Sequence, residues 1–240
     1  MQGIEAKLTT YIDSHCHYHP SLSYSDFFAN IVKNASARSE PESAHRVICL
    51  LEMDGTDWFS SLESETDSPQ LKVDKVDQQS LAVRLGTSEI SVFCARQVNS
   101  VEKIEVIIVG CREVIESGLP IRDYIEFYGE KYLVILPWGV GKWLGSRGQL
   151  VSQLLEQKLP FILGDNGGRP IWWASIPQFT RAKELSIPVL AGSDPLPVKS
   201  FASRAGAYGN VFEGRVDHCN SWIQQVKSMQ SGPEKYGQRT

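Results

Sequence analysis

Histidine is scarce in this chain. There are five in 240 residues, three of them at His15, His17 and His19, and none between His45 and His218. A metal centre drawing imidazoles from mid-chain strands is therefore excluded. No C-x-x-C pair occurs among the five cysteines, Cys16, Cys49, Cys94, Cys111 and Cys219. Their odd, scattered placement predicts buried, reduced thiols in a reducing compartment rather than a disulfide framework. No run approaches the roughly 18 apolar residues of a membrane-spanning helix, and the first ten residues hold no long apolar stretch of the secretory kind. The expectation is a cytoplasmic protein with no membrane partner. A basic excess is also lacking: 24 Lys and Arg against 28 Asp and Glu give a net charge of −4, which predicts no nucleic-acid partner. Gly139-Val140-Gly141-Lys142 lacks the P-loop spacing, and Trp143 stands where a hydroxyl residue is required.

What is present is an alternation of strand-like and helix-like segments without internal repeats. Apolar runs of strand length cover Arg46 to Leu51, Ile104 to Val109, Tyr132 to Leu136, Phe161 to Leu163 and Ile187 to Leu190. Helical spacing appears over Ser25 to Lys33, Asp57 to Leu62, Ile121 to Tyr128, Gln149 to Gln157, Ile176 to Leu185 and Val216 to Met229. Continuous apolar strands separated by helices read as βα units with a parallel sheet. Leu81 to Val83 and Ile90 to Ala95 flank a Gly86-Thr87-Ser88 turn and read instead as an antiparallel hairpin. Ser64 to Gln70 reads as an exposed loop. The fold class expected is α/β: a distorted TIM-like β/α barrel with that hairpin inserted, one domain over 1–229 and a frayed tail over 230–240.

In such a fold functional groups gather where strands end. His15 and His17 alternate on an extended segment, so both imidazoles can face one ion, and His19 extends the pattern. Surface histidines before the turn at Pro20 are the bland alternative. Glu52, Asp165 and Asp194 also follow strand-like runs. A carboxylate there can bind metal or activate a water; Asp194 before Pro195, and Asp165 within Gly164-Asp165-Asn166-Gly167-Gly168, suit turns as well. Lys142, Arg147 and Arg169 lie just past strand ends and could hold an anion, and Trp138 could wall a pocket.

The segment Ile12-Asp13-Ser14-His15-Cys16-His17 resembles the opening of metal-dependent amidohydrolases and of the polymerase-and-histidinol-phosphatase family. Leu190-Ala191-Gly192-Ser193-Asp194, followed by a loop and Gly206-Ala207-Tyr208, is similar to the latter's Gly-Ser-Asp-Ala-His ending. The resemblance is loose but runs through most of the chain. Gln97 stands about where that family has a glutamate, Pro137-Trp138 where it has His-Pro, and Pro195-Leu196 where Ala-His follows the aspartate. The resemblance thus implies one metal on His15, His17 and Asp194, with Glu52 as a further ligand. It implies a divalent ion, zinc first with manganese, iron or nickel as alternatives, or no ion at all. Asp194 and Asp165 are the catalytic candidates, and Lys142, Arg147, Arg169 and Trp138 the substrate-binding ones. The function expected is metal-dependent hydrolysis of a phosphate ester or another small anionic molecule; the alternative is a catalytically degenerate barrel that binds or regulates.

Overall fold

The computed structural model describes residues 8–36, 44–65, 70–173 and 175–239. Residues 66–69 of the expected loop lie outside them. Eleven strands are found: β1 (Thr9–His17), β2 (His45–Glu52), β3 (Leu71–Lys75), β4 (Ser80–Leu85), β5 (Ser88–Asn99), β6 (Glu105–Val109), β7 (Leu133–Pro137), β8 (Ile162–Asn166), β9 (Val189–Gly192), β10 (Tyr208–Glu213) and β11 (Lys235–Gly237). The helices are α1 (Tyr24–Ser36), α2 (Trp58–Glu63), α3 (Ile121–Tyr128), α4 (Ser146–Leu155), α5 (Pro177–Glu184), α6 (Lys199–Ala202) and α7 (Cys219–Ser228).

Nine strands follow one another in the order β11-β10-β1-β2-β5-β6-β7-β8-β9, with the β3–β4 pair attached through β5. The sheet curls into a nearly closed barrel. The TIM-like expectation is corrected. β6 runs antiparallel to both β5 and β7, and β10 antiparallel to β1, while β1–β2, β2–β5, β7–β8 and β8–β9 are parallel. For β6 against β5 the cause is chain length. The five residues between β5 and β6 leave no room for the dozen or more that a parallel crossover needs. The hairpin forms as expected, with Gly86 at positive φ in its turn. Its second strand, however, is also a full barrel strand pairing with β2 over seven positions. Within the expected tail, Lys235–Gly237 form β11 and pair with β10, Asn210 with Lys235.

Alternate residues of β2, β5, β6 and β7, joined by Ile12 of β1, Ile162 of β8, Leu190 of β9 and Phe212 of β10, form one apolar cluster that includes Val47, Phe93, Ile107 and Leu133. A cluster fed by strands all round the sheet must be the barrel interior. Its floor is α7, whose Trp222 packs against Phe93 and Phe212 at ring separations of 5.9 and 6.0 Å. The opposite residues face outward under α3, α4 and α5 on one side and α1 and α2 on the other. All five cysteines are buried and free. No helix among the described residues is long and apolar enough to cross a membrane.

Candidate metal centre

Simple alternation along β1 would turn His15 and His17 out of the barrel, because Ile12 points in. A bulge reverses this. Ile12 and Asp13 pair with Val47 and Ile48, but the next pair is Cys16 with Leu50, so β1 carries one extra residue. Cys16 then packs outward, and His15 and His17 point in at the rim, both buried.

Asp194 reaches them from the loop after β9. Its backbone N–H donates to the His15 carbonyl at 2.7 Å, and its φ is +45°, a left-handed conformation uncommon outside glycine and asparagine and typical of over-determined sites. Gly192 makes the approach feasible: a Cβ there would lie 2.3 Å from His15 Cβ. His15 Nε2 and His17 Nε2 are 3.2 Å apart, and Asp194 Oδ1 lies 3.3 Å from the first and 3.8 Å from the second. Ligand atoms about 2.0–2.1 Å from a tetrahedral zinc sit about 3.3–3.4 Å from each other. Two imidazole nitrogens and a carboxylate oxygen so spaced fit a divalent cation.

The electrostatics agree. Burial, and then the neighbouring His15, push the His17 imidazole down to about 3, so it is neutral, the form that ligates. Burial pushes the Asp194 carboxyl up, but His15, His17, the Asn166 amide and Lys142 together outweigh it and hold it below its ordinary value. Asn166 donates to Asp194 Oδ2 while its own Oδ1 accepts from the Gly168 N–H at 2.6 Å. Behind the site, the fully buried Asp13 accepts from the backbone N–H of His15 (3.1 Å), Ser193 (2.9 Å) and Gly206 (3.0 Å). One carboxylate thereby locks β1 to the Asp194 loop. Gln97 lies beside His17 with its Oε1 unpartnered among the described residues, although the residue is buried.

These groups open into a rim cavity of about 790 Å³ that also presents Glu105, Lys142, Trp138 and Arg204. Lys142 is ion-paired with Glu105. A smaller crevice of about 310 Å³ lies at the barrel floor, and its Lys227 is occupied by the Gly129 and Glu130 carbonyls; the ionisable cluster belongs to the larger cavity.

Four expected site residues sit elsewhere. Glu52 faces outward, its carboxylate accepting from Thr56 Oγ1 at 2.8 Å and the Phe59 N–H at 2.7 Å, where it holds the start of α2. Asp165 also faces outward. Arg169 grips it at 2.7 and 2.8 Å, and Tyr208 and Lys235 donate to it at 2.8 and 2.7 Å, so its charge is neutralised within the outer face. Arg169 is thereby consumed. Arg147 donates to the Gly141 carbonyl at 2.7 Å and braces its own loop. Trp138 packs chiefly in the outer cluster, edge-on to Trp173 at 5.2 Å, with one side on the cavity. His19 Nε2 contacts the Pro195 carbonyl at 2.6 Å, outside the ligand triangle. The inward residues missed from sequence are Gln97 and Asn166, the neighbours of outward Arg96 and Asp165.

No family model matches the chain. No curated protein matches it either. Solved structures share its fold. PsfC from Pseudomonas syringae PB-5123 is 13% identical with a TM-score of 0.63, over 96% of this chain and 92% of PsfC. The lesion-specific endonuclease PfuEndoQ from Pyrococcus furiosus is 14% identical with a TM-score of 0.57. An Endonuclease Q complex is 13% identical with a TM-score of 0.55. The alignment covers 92% of this chain but 56% of each endonuclease. At such identity the likeness shows the fold alone. It corrects the expectation of no nucleic-acid partner. The Endonuclease Q complex holds a 27-mer duplex substrate with an abasic lesion at the active site, so a protein that shares this fold does take nucleic acid.

Proposed function

We propose that this chain, as one domain, is a metal-dependent phosphoesterase whose centre is His15, His17 and Asp194. The observation that carries the reading is the meeting of three ligand atoms within 3.2–3.8 Å at the mouth of a cavity that also holds a lysine. A divalent ion held there, zinc by its donor set with manganese, iron or nickel as alternatives, supplies Lewis acidity towards a phosphoryl oxygen. The chain's own residues do the rest. Asn166 fixes Asp194 Oδ2, leaving Oδ1 turned towards the histidines. Asp194, ionised at neutral pH, can take a proton from an attacking water. Lys142 swings from Glu105 to neutralise the charge of the phosphoryl group. Phosphodiesters, nucleic acid included, and monoesters both suit this chemistry.

The test is hydrolysis of bis(4-nitrophenyl) phosphate, 4-nitrophenyl phosphate and a duplex carrying an abasic site by protein loaded with each metal in turn. Turnover of any one that is lost in Asp194→Asn supports the reading, and no turnover with any metal overturns it. A second reading, a degenerate barrel that binds without hydrolysing, is favoured by one feature. Gln97 stands about where the resemblance places a glutamate and Pro137 where it places a histidine, so the centre has three ligands.

A further inference from the structure

The rim cavity is far larger than a phosphoryl group, and its walls are of two kinds. The His17, Asp194, Asn166 and Lys142 end is polar. The lining also carries large apolar side chains, among them Val140, 64% exposed, and Leu196, 46% exposed, on loops, and Phe201, 38% exposed, on α6. Large apolar side chains left open to water around a cleft mark a surface that a ligand covers. One cation lies on this apolar stretch: Arg204, just after α6. It differs from the other basic groups near the site. Lys142 pairs with Glu105, Arg169 with Asp165, and Arg147 with a carbonyl. Among the described residues the Arg204 guanidinium makes one hydrogen bond, from a terminal nitrogen to the Gln238 carbonyl at 3.0 Å, and no carboxylate pairs with it. Partial burial without any acidic neighbour holds its pKa below the ordinary value. A guanidinium with open donors on an apolar wall fits a planar or tetrahedral anion.

We infer that Arg204 reads a second anionic group of the substrate, across an apolar body from the group held at the His15–His17–Asp194 end. The substrate class is a phosphoester with an apolar or aromatic body and a remote carboxylate or phosphate. This rests on the phosphoesterase reading for the identity of the first group alone.

The experiment is calorimetric binding to metal-free protein with two matched pairs of probes. The first pair is 4′-carboxybiphenyl-4-yl phosphate and its neutral carbamoyl analogue. The second is thymidine 3′,5′-bisphosphate and thymidine 5′-phosphate. A charge-assisted contact at Arg204 should make the doubly anionic member bind roughly tenfold tighter, in at least one pair. Preference confined to the nucleotide pair assigns the second anion to a nucleotide. Arg204→Met should abolish the preference with the melting temperature unchanged, and Arg204→Lys should restore part of it. No preference in either pair, no binding of any probe, or a preference that survives Arg204→Met overturns the inference. Because no metal and no turnover are involved, failure of the phosphoesterase test leaves this result standing, and the reverse also holds.

Discussion

The barrel closes in two different ways on its two sides. Between β2 and β5, closure is a regular parallel ladder of seven register pairs with apolar residues on both faces. Between β9 and β1, side chains do the work. Asp13 accepts from Ser193 and Gly206, Ser14 Oγ donates to the Ala191 carbonyl at 2.9 Å, and Asn210 Oδ1 accepts from the Ala191 N–H at 2.6 Å. The candidate metal centre sits on this seam, not on the ladder. Polar groups are tolerated there because each already has a partner, and the bulge in β1 supplies the turn of the histidines that a regular ladder would forbid.

If the seam is held by few, specific bonds and the ladder by many weak contacts, single substitutions should separate them. Asp13→Ala should have the largest effect, about 4 kcal/mol of unfolding free energy in urea titration, since it strands several buried N–H groups at about 1–3 kcal/mol each. Ile48→Val in the ladder should cost about 0.5–1.5 kcal/mol. Equal losses would erase the distinction.

Gly192→Ala comes next. Its Cβ would meet His15 Cβ at 2.3 Å and His15 N at 2.5 Å, so the seam must open. A loss of about 1–3 kcal/mol is expected from overpacking, together with a fall of at least tenfold in metal affinity. A stability loss with metal affinity intact would show that the seam and the centre are independent.

Much of the barrel was legible in the sequence, because apolar runs and turn residues mark strands and helices whatever their neighbours; Ile121–Tyr128 forms as α3 over the span its spacing gives. Strand direction was less so, since nothing local in Glu105 to Val109 says that it runs against β5 and β7. The convergence of His15, His17 and Asp194 was legible, because each lies in a motif. Legibility failed where a choice between neighbours decided the outcome. In β8 both faces are buried, so Asp165 and Asn166 look alike in sequence, yet a shift of one residue moves a side chain from one face to the other. The alternation Ile162, Gly164, Asn166 carried the signal, but only knowledge of which face lines the barrel could read it. Arg204 had no strand end to mark it.

Lys142→Ala should raise KM for a phosphoester about tenfold, equivalent to about 1.4 kcal/mol, with unfolding free energy unchanged, since its pairing with Glu105 is partly exposed. The smallest effect belongs to His45, at the start of β2 and away from the seam. Burial, then Arg215, lowers its pKa below the ordinary value of 6.5. The unfolded chain therefore takes up this proton first, and stability from the neutral imidazole is present above 6.5 and lost as pH falls from there towards the lowered folded value. Wild type should lose more melting temperature between pH 7.5 and 5.5 than His45→Gln. An identical loss would remove His45 from the account.

The most direct measurement is calorimetric titration of metal-free protein with zinc at neutral pH, beside His15→Ala and His17→Ala. One ion per chain, bound by wild type and lost in both variants while their folded far-ultraviolet spectra persist, is the result predicted. Absence of binding to wild type, or binding undiminished when both imidazoles are removed together, would contradict the claim that the seam of this barrel holds a metal.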